Sequence, residues 1–82
     1  MDLYAAFLGG PLGDGRMGEG HEVVLVVAAD RTDAKVKATA KWRGAPSGHL
    51  DALGRIVRVD GYTVTLTRSD DTADQVEMET FN

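Results

Sequence analysis

The hydrophobic positions along the chain fall into groups that differ in period. Residues 3–8, LYAAFL, are apolar throughout, and Gly9, Gly10 and Pro11 close the group. A short apolar run bounded by turn formers predicts a strand. HEVVLVVAA, residues 21–29, is β-branched or aliphatic from Val23 to Val27 and predicts a second strand. Neither segment alternates polar with apolar residues, so both faces of both strands seek cover.

The period then lengthens. In DRTDAKVKATAKWRG, residues 30–44, Ala34, Ala38 and Trp42 recur at i, i+4 and i+8, one stripe of a helix. Asp30 or Thr32 can serve as N-cap, Asp33 falls in the first turn, Lys41 and Arg43 fall in the last, and Gly44 stands at the left-handed stop position. Two alanines let the helix approach a sheet closely, and Trp42 closes the end of that contact. RIVRVDGYTVTLT, residues 55–67, alternates on either side of Asp60 and Gly61, the strongest short-range hairpin signal. A two-residue turn pairs Val59 with Tyr62 and Val57 with Val64 on one face and Arg58 with Thr63 on the other, so register and one-sided burial agree. QVEMETF, residues 75–81, alternates again after an acidic loop. It reads as a fifth strand or as an arm reaching another subunit.

This order predicts a single α+β domain over residues 1–82, β-β-α-β-β, with antiparallel hairpins and one helix packed on one sheet face. The acidic segment 69–82 is its edge strand or arm. One helix covers one face of a sheet. The face that the first two strands leave open would expose more contiguous apolar surface than soluble monomers usually carry, which predicts a homo-oligomer, with a dimer as the simplest form.

A chain of 82 residues has room for a thin core only, which strengthens the case for a partner subunit. Its net charge of -4 argues against a nucleic-acid partner, because non-specific affinity for phosphates needs many basic contacts. The charge is segregated: residues 1–30 hold five acids and Arg16, residues 31–68 hold eight bases and three acids, and residues 69–82 hold five acids and no base. The simplest consequence is internal compensation, with the acidic ends neutralising the basic middle. Arg31, Lys35, Lys37, Lys41 and Arg43 scatter around the helix and do not form a focused patch. Cysteine is absent, which excludes disulfide and thiolate chemistry. The start lacks a signal-peptide pattern, and Val23–Ala29, the longest apolar run, is too short to span a bilayer. The pattern predicts a soluble cytoplasmic protein without a membrane partner.

Gly13, Gly15 and Gly18 match the spacing G-x-G-x-x-G of a dinucleotide-binding turn. That turn needs a following helix whose N-terminus holds the pyrophosphate. Here a strand follows, and Asp14, Glu19 and Glu22 repel phosphate, so no dinucleotide cofactor is expected. Two histidines stand beside acids: Glu19, His21 and Glu22 in EGHEV, and His49 and Asp51 in HLDAL. Imidazole with carboxylate can bind a divalent metal or form an acid–base pair. In extended chain Glu19 and His21 share a face, as do His49 and Asp51. HLD can equally be a turn in which Asp51 bonds its own backbone. No nucleophile signature accompanies Ser47 or Ser69.

Five short motifs in order, LYAAFLGG at 3–10, EGHEV at 19–23, KWRG at 41–44, HLDAL at 49–53 and VDGY at 59–62, give the chain a family resemblance over roughly residues 3–66. It resembles small bacterial proteins grouped as domain of unknown function family 1543. The family pattern carries an aliphatic residue at Gly20 and Asp at Glu22. The longer reach of Glu22 weakens the case for a fitted metal ligand there. The resemblance implies a compact α+β domain and a bacterial, cytoplasmic setting. It supplies no activity, and it marks His21, His49 and Asp51 as part of the family's own pattern.

Two functional expectations follow. The first is a self-associating module without a complete catalytic constellation, which binds a partner or ligand. The second is a metal- or small-molecule-binding site, with hydrolysis as its chemistry, built from Glu19, His21, His49 and Asp51. Trp42 is a further candidate ligand contact, and His21, His49 and Asp51 are the candidate ligands for a divalent metal.

Overall fold

A computed structural model describes residues 1–11, 18–42, 48–70 and 76–81. Three antiparallel strands, β1 (Asp2–Pro11), β2 (Glu19–Ala28) and β3 (His49–Arg55), form a sheet in the order β2-β1-β3, with one helix, α1 (Arg31–Ala40), on it. A separate two-stranded ladder, β4 (Arg58–Val59) and β5 (Tyr62–Thr63), follows. This is the α+β architecture that the hydrophobic pattern predicts, with the helix after two strands and a hairpin after the helix.

Alternation along β1 divides the sheet into two faces. Tyr4, Ala6 and Leu8 are buried on one of them with Val26 and Ala28 of β2, under Ala34 and Ala38 of the helix. The core is therefore alanine-rich, and the helix lies close to the strands. Phe7 of β1 and Val23, Leu25 and Val27 of β2 belong to the opposite face, where their exposures run from 38% to 59%. The strands are two-sided apolar, as their composition requires, and among the described residues the helix covers one side of them.

Strand β1 runs through Gly9 and Gly10 to Pro11, beyond the expected end at Leu8. These glycines are places of close approach and do not break the strand. A Cβ on Gly10 would stand 2.6 Å from Gly48 Cα and 3.4 Å from Trp42 Cζ2, and one on Gly48 would run into the Trp42 indole. Trp42 thus seals the helix side of the sheet at that end, as its place in the stripe predicts.

The helix begins at Asp30, whose carboxylate accepts from the Asp33 backbone N–H at 2.8 Å, so Asp30 and not Thr32 is the N-cap. Asp33 in turn accepts from the Ala29 N–H at 3.1 Å. That bond holds the Asp33 carboxyl below its ordinary range; burial opposes the shift, and the Lys37 ammonium adds to it. Lys41 caps the C-terminus, and the stop signal at Arg43 and Gly44 lies outside the described residues.

The sequence leaves HLDAL open between extended chain and a turn and places the third strand from Arg55 onward, whereas the structure makes His49–Arg55 a strand of the sheet. Its pairing with β1 shifts register between Phe7 and Leu8: Leu8 faces Leu50, whereas Phe7 faces Ala52. Asp51 is the extra residue, a β-bulge. The bulge lets Leu50 and Leu53, three apart, both pack on the core, while Asp51 and Ala52 are exposed.

The hairpin has the predicted register, Arg58 with Thr63 and Val59 with Tyr62, and the Val64 N–H donates to the Val57 carbonyl at 2.9 Å. Asp60 and Gly61 take φ of 52° and 84°, the left-handed pair of a type I′ turn. The expected burial of its apolar face is overturned, since Val57, Val59 and Tyr62 are 48%, 52% and 79% exposed. Chain connectivity explains this: the Ile56 N–H donates to the Leu3 carbonyl at 2.9 Å and ties the start of this segment to β1, and the hairpin ladder that follows is separate from the sheet. Residues 76–81 are likewise exposed and lie in no strand, and 71–75 and 82 of the expected edge strand or arm lie outside the described residues. Glu77 and Glu79 make no ion pair with the helix among the described residues; between the acidic N-terminal segment and the basic middle, Asp2 reaches Arg55 at 3.7 Å.

Candidate functional site

The sheet brings together three residues that the sequence holds up to 30 positions apart. Gly9 pairs with His21 on one side and with His49 on the other, so the two histidines flank the central strand on its open face. Asp51, pushed out of register by the bulge, spans them. His49 Nε2 lies 2.8 Å from Asp51 Oδ1, and His21 Nδ1 lies 3.9 Å from Asp51 Oδ2. Each carboxylate oxygen therefore faces a different imidazole.

Gly9 makes this convergence possible. A Cβ there would stand 2.6 Å from Asp51 Oδ2 and 3.0 Å from His21 Nδ1, inside the space where the three side chains meet. Any larger residue would push the carboxylate off the strand. The cluster is open to solvent, with side-chain exposures of 72%, 60% and 41% for His21, His49 and Asp51. Among the described residues, no three His, Cys, Asp or Glu side chains stand, as placed, where all could hold one ion.

Of the other candidates, Glu19 pairs through its backbone with Pro11 at the start of β2, and its side chain lies outside what the structure describes. Trp42 is on the helix side of the sheet, against Gly10 and Gly48, and so is separated from the His–Asp–His cluster by the sheet itself. Glu22 pairs with Leu8 and belongs to the helix side by alternation. The glycine triplet is met by the structure at Gly18 only. It is followed by β2 and not by a helix, which removes the phosphate-binding N-terminus; Gly13 and Gly15 lie outside the described residues.

Two cavities occur elsewhere. One of about 530 Å³ opens between Tyr4, Asp30, Arg31, Leu53 and Arg55 at the N-terminal end of the helix. Another of about 410 Å³ lies between the first three residues and the arms of the hairpin. Neither is lined by His21, His49 or Asp51.

The edges of the sheet carry a feature that the sequence reading did not find. Lys37 Nζ donates to the Val27 carbonyl at 2.9 Å, and Lys41 Nζ donates to the Leu25 carbonyl at 2.8 Å. Both carbonyls are on the outer edge of β2, so the two lysines occupy acceptors that an added strand would need. At the other edge the bulge at Asp51 interrupts β3. Both edges are blunted, while the apolar face between them is open. Two lysines four apart on a helix that follows an edge strand are the signal that could have shown this.

Among the described residues, no helix is long and apolar enough to cross a membrane. The model of a family described as Domain of Unknown Function (DUF1543) matches residues 16–66, a span that contains His21, Trp42, His49 and Asp51. No curated protein and no solved structure matches the chain.

Proposed function

We propose that this chain, which belongs to the family described as Domain of Unknown Function (DUF1543), is a self-associating module in which two copies meet through the open faces of their sheets. The observation that carries the reading is the four-residue apolar face of Phe7, Val23, Leu25 and Val27, left uncovered on a sheet whose edges are blocked. Blocked edges discourage association by strand addition and leave face-to-face packing as the route.

The test is a charge placed at the centre of the face. Leu25→Glu keeps the strand and puts a carboxylate where the second copy would sit. Light scattering should give twice the chain mass for the wild type at micromolar concentration and the chain mass for the variant. Equal masses for the two proteins would overturn the proposal. A monomeric wild type would leave the chain's own segment 76–81, with Val76, Met78 and Phe81 exposed, as the alternative cover.

A further inference from the structure

We infer that His21, His49 and Asp51 form a binding site for a divalent transition-metal ion of the zinc class, with Gly9 as its floor. This rests on the cluster itself and is independent of the proposed self-association, although both lie on the same face.

Three observations converge. The first is the donor set: two imidazole nitrogens and one carboxylate are the ligands of catalytic and surface zinc sites, whereas magnesium and calcium take oxygen donors. The second is spacing. Bonds of 2.0–2.2 Å in a tetrahedron place neighbouring donors about 3.3 Å apart. Both imidazoles already reach the Asp51 carboxylate, His49 Nε2 at 2.8 Å from Oδ1 and His21 Nδ1 at 3.9 Å from Oδ2. The three donors do not yet form a shell as placed, and side-chain rotation toward one ion must bring them to that spacing. All three side chains are open to solvent, with exposures of 41% to 72%.

The third is the backbone. A bulge is a specified feature, and this one aims Asp51 over Gly9, where a Cβ would strike two of the three donors. Surface ion pairs contribute little stability by themselves, so three donors gathered over one cleared position are better accounted for by a ligand that they share. With three protein donors the site would leave a fourth position open, to water or to a group from a partner.

The experiment uses the full chain, stripped with chelator and titrated with zinc chloride in a calorimeter. One zinc per chain, bound stoichiometrically at micromolar protein, is the expected result. Asp51→Asn and His49→Ala should each weaken binding by about tenfold or more. Gly9→Ala keeps every donor and should also weaken it, because its methyl enters the shell. Cobalt(II) chloride in place of zinc should give the visible absorption of a tetrahedral site in the wild type and lose it in Asp51→Asn. Circular dichroism of each variant shows whether the fold is kept. No zinc binding by the wild type, or binding by folded Asp51→Asn and His49→Ala that equals the wild type, would overturn the site. Neither outcome depends on the mass measurement that tests the interface.

Discussion

Replacing Gly48 by alanine tests how the end of the sheet is closed. A Cβ at this position would stand 2.5 Å from both Cδ1 and Cε2 of Trp42 and closer still to Nε1. Ordinary carbon–carbon contact begins at about 3.5 Å, so the indole must withdraw by roughly 1 Å or swing off the sheet. Overpacking of this kind costs about 1–3 kcal/mol. In a domain of this size each kcal/mol moves the melting temperature by about 4–8 °C, so Gly48→Ala should melt at least several degrees below the wild type. Trp42 is the single tryptophan, which makes its emission a direct reporter: it should shift to the red as the ring gains water. Gly54→Ala is the control, because a Cβ there meets nothing within 4 Å, and both its melting temperature and its emission should match the wild type. If Gly48→Ala melts with the wild type and its emission does not move, the ring does not lie where the account places it.

Other perturbations probe the core and the helix start. Leu8 is the largest fully buried side chain among the described residues; Leu8→Ala should cost about 2–5 kcal/mol by denaturant unfolding. That is a large share of the roughly 4–12 kcal/mol available to a domain of this length, and a loss below 1 kcal/mol would contradict the packing described. The lowered pKa of Asp33 sets a pH dependence. Because its folded value lies below its unfolded one, its contribution is present above the unfolded value near 4 and is lost as pH falls through the lower folded value. Unfolding followed between pH 6 and pH 2 should therefore show a component that Asp33→Asn removes, and an unchanged profile in that variant would refute the assignment. Asp30→Ala removes the N-cap acceptor and should lower stability by about 1 kcal/mol; a neutral result would mean that the Asp33 N–H has found another partner.

Much of this fold can be read from local pattern. The helix follows from Ala34, Ala38 and Trp42, and its cap from Asp30. The hairpin register follows from Asp60 and Gly61 alone. What local pattern misses is set by contacts between distant residues. Strand β3 is hidden because Leu50 and Leu53 are three apart, a spacing that no regular strand buries on one face; the bulge that reconciles them is visible only beside Phe7 and Leu8. Gly9 and Gly10 read as a strand end because a sequence does not reveal that Asp51, His21, Gly48 and Trp42 press on them. The hairpin's alternation suggests burial, yet burial needs a layer to pack against, and none among the described residues is supplied by this chain. For the site, neighbouring acids single out His21, His49 and Asp51, with Glu19, as members of one candidate site. The meeting of the two histidines with Asp51 over one glycine is a property of strand order.

Sedimentation equilibrium of the full chain at micromolar concentration is the most direct measurement of the central claim. The account predicts a mass of twice 8.8 kDa, falling to the single-chain mass in Leu25→Glu. A wild-type mass of 8.8 kDa at that concentration would contradict it.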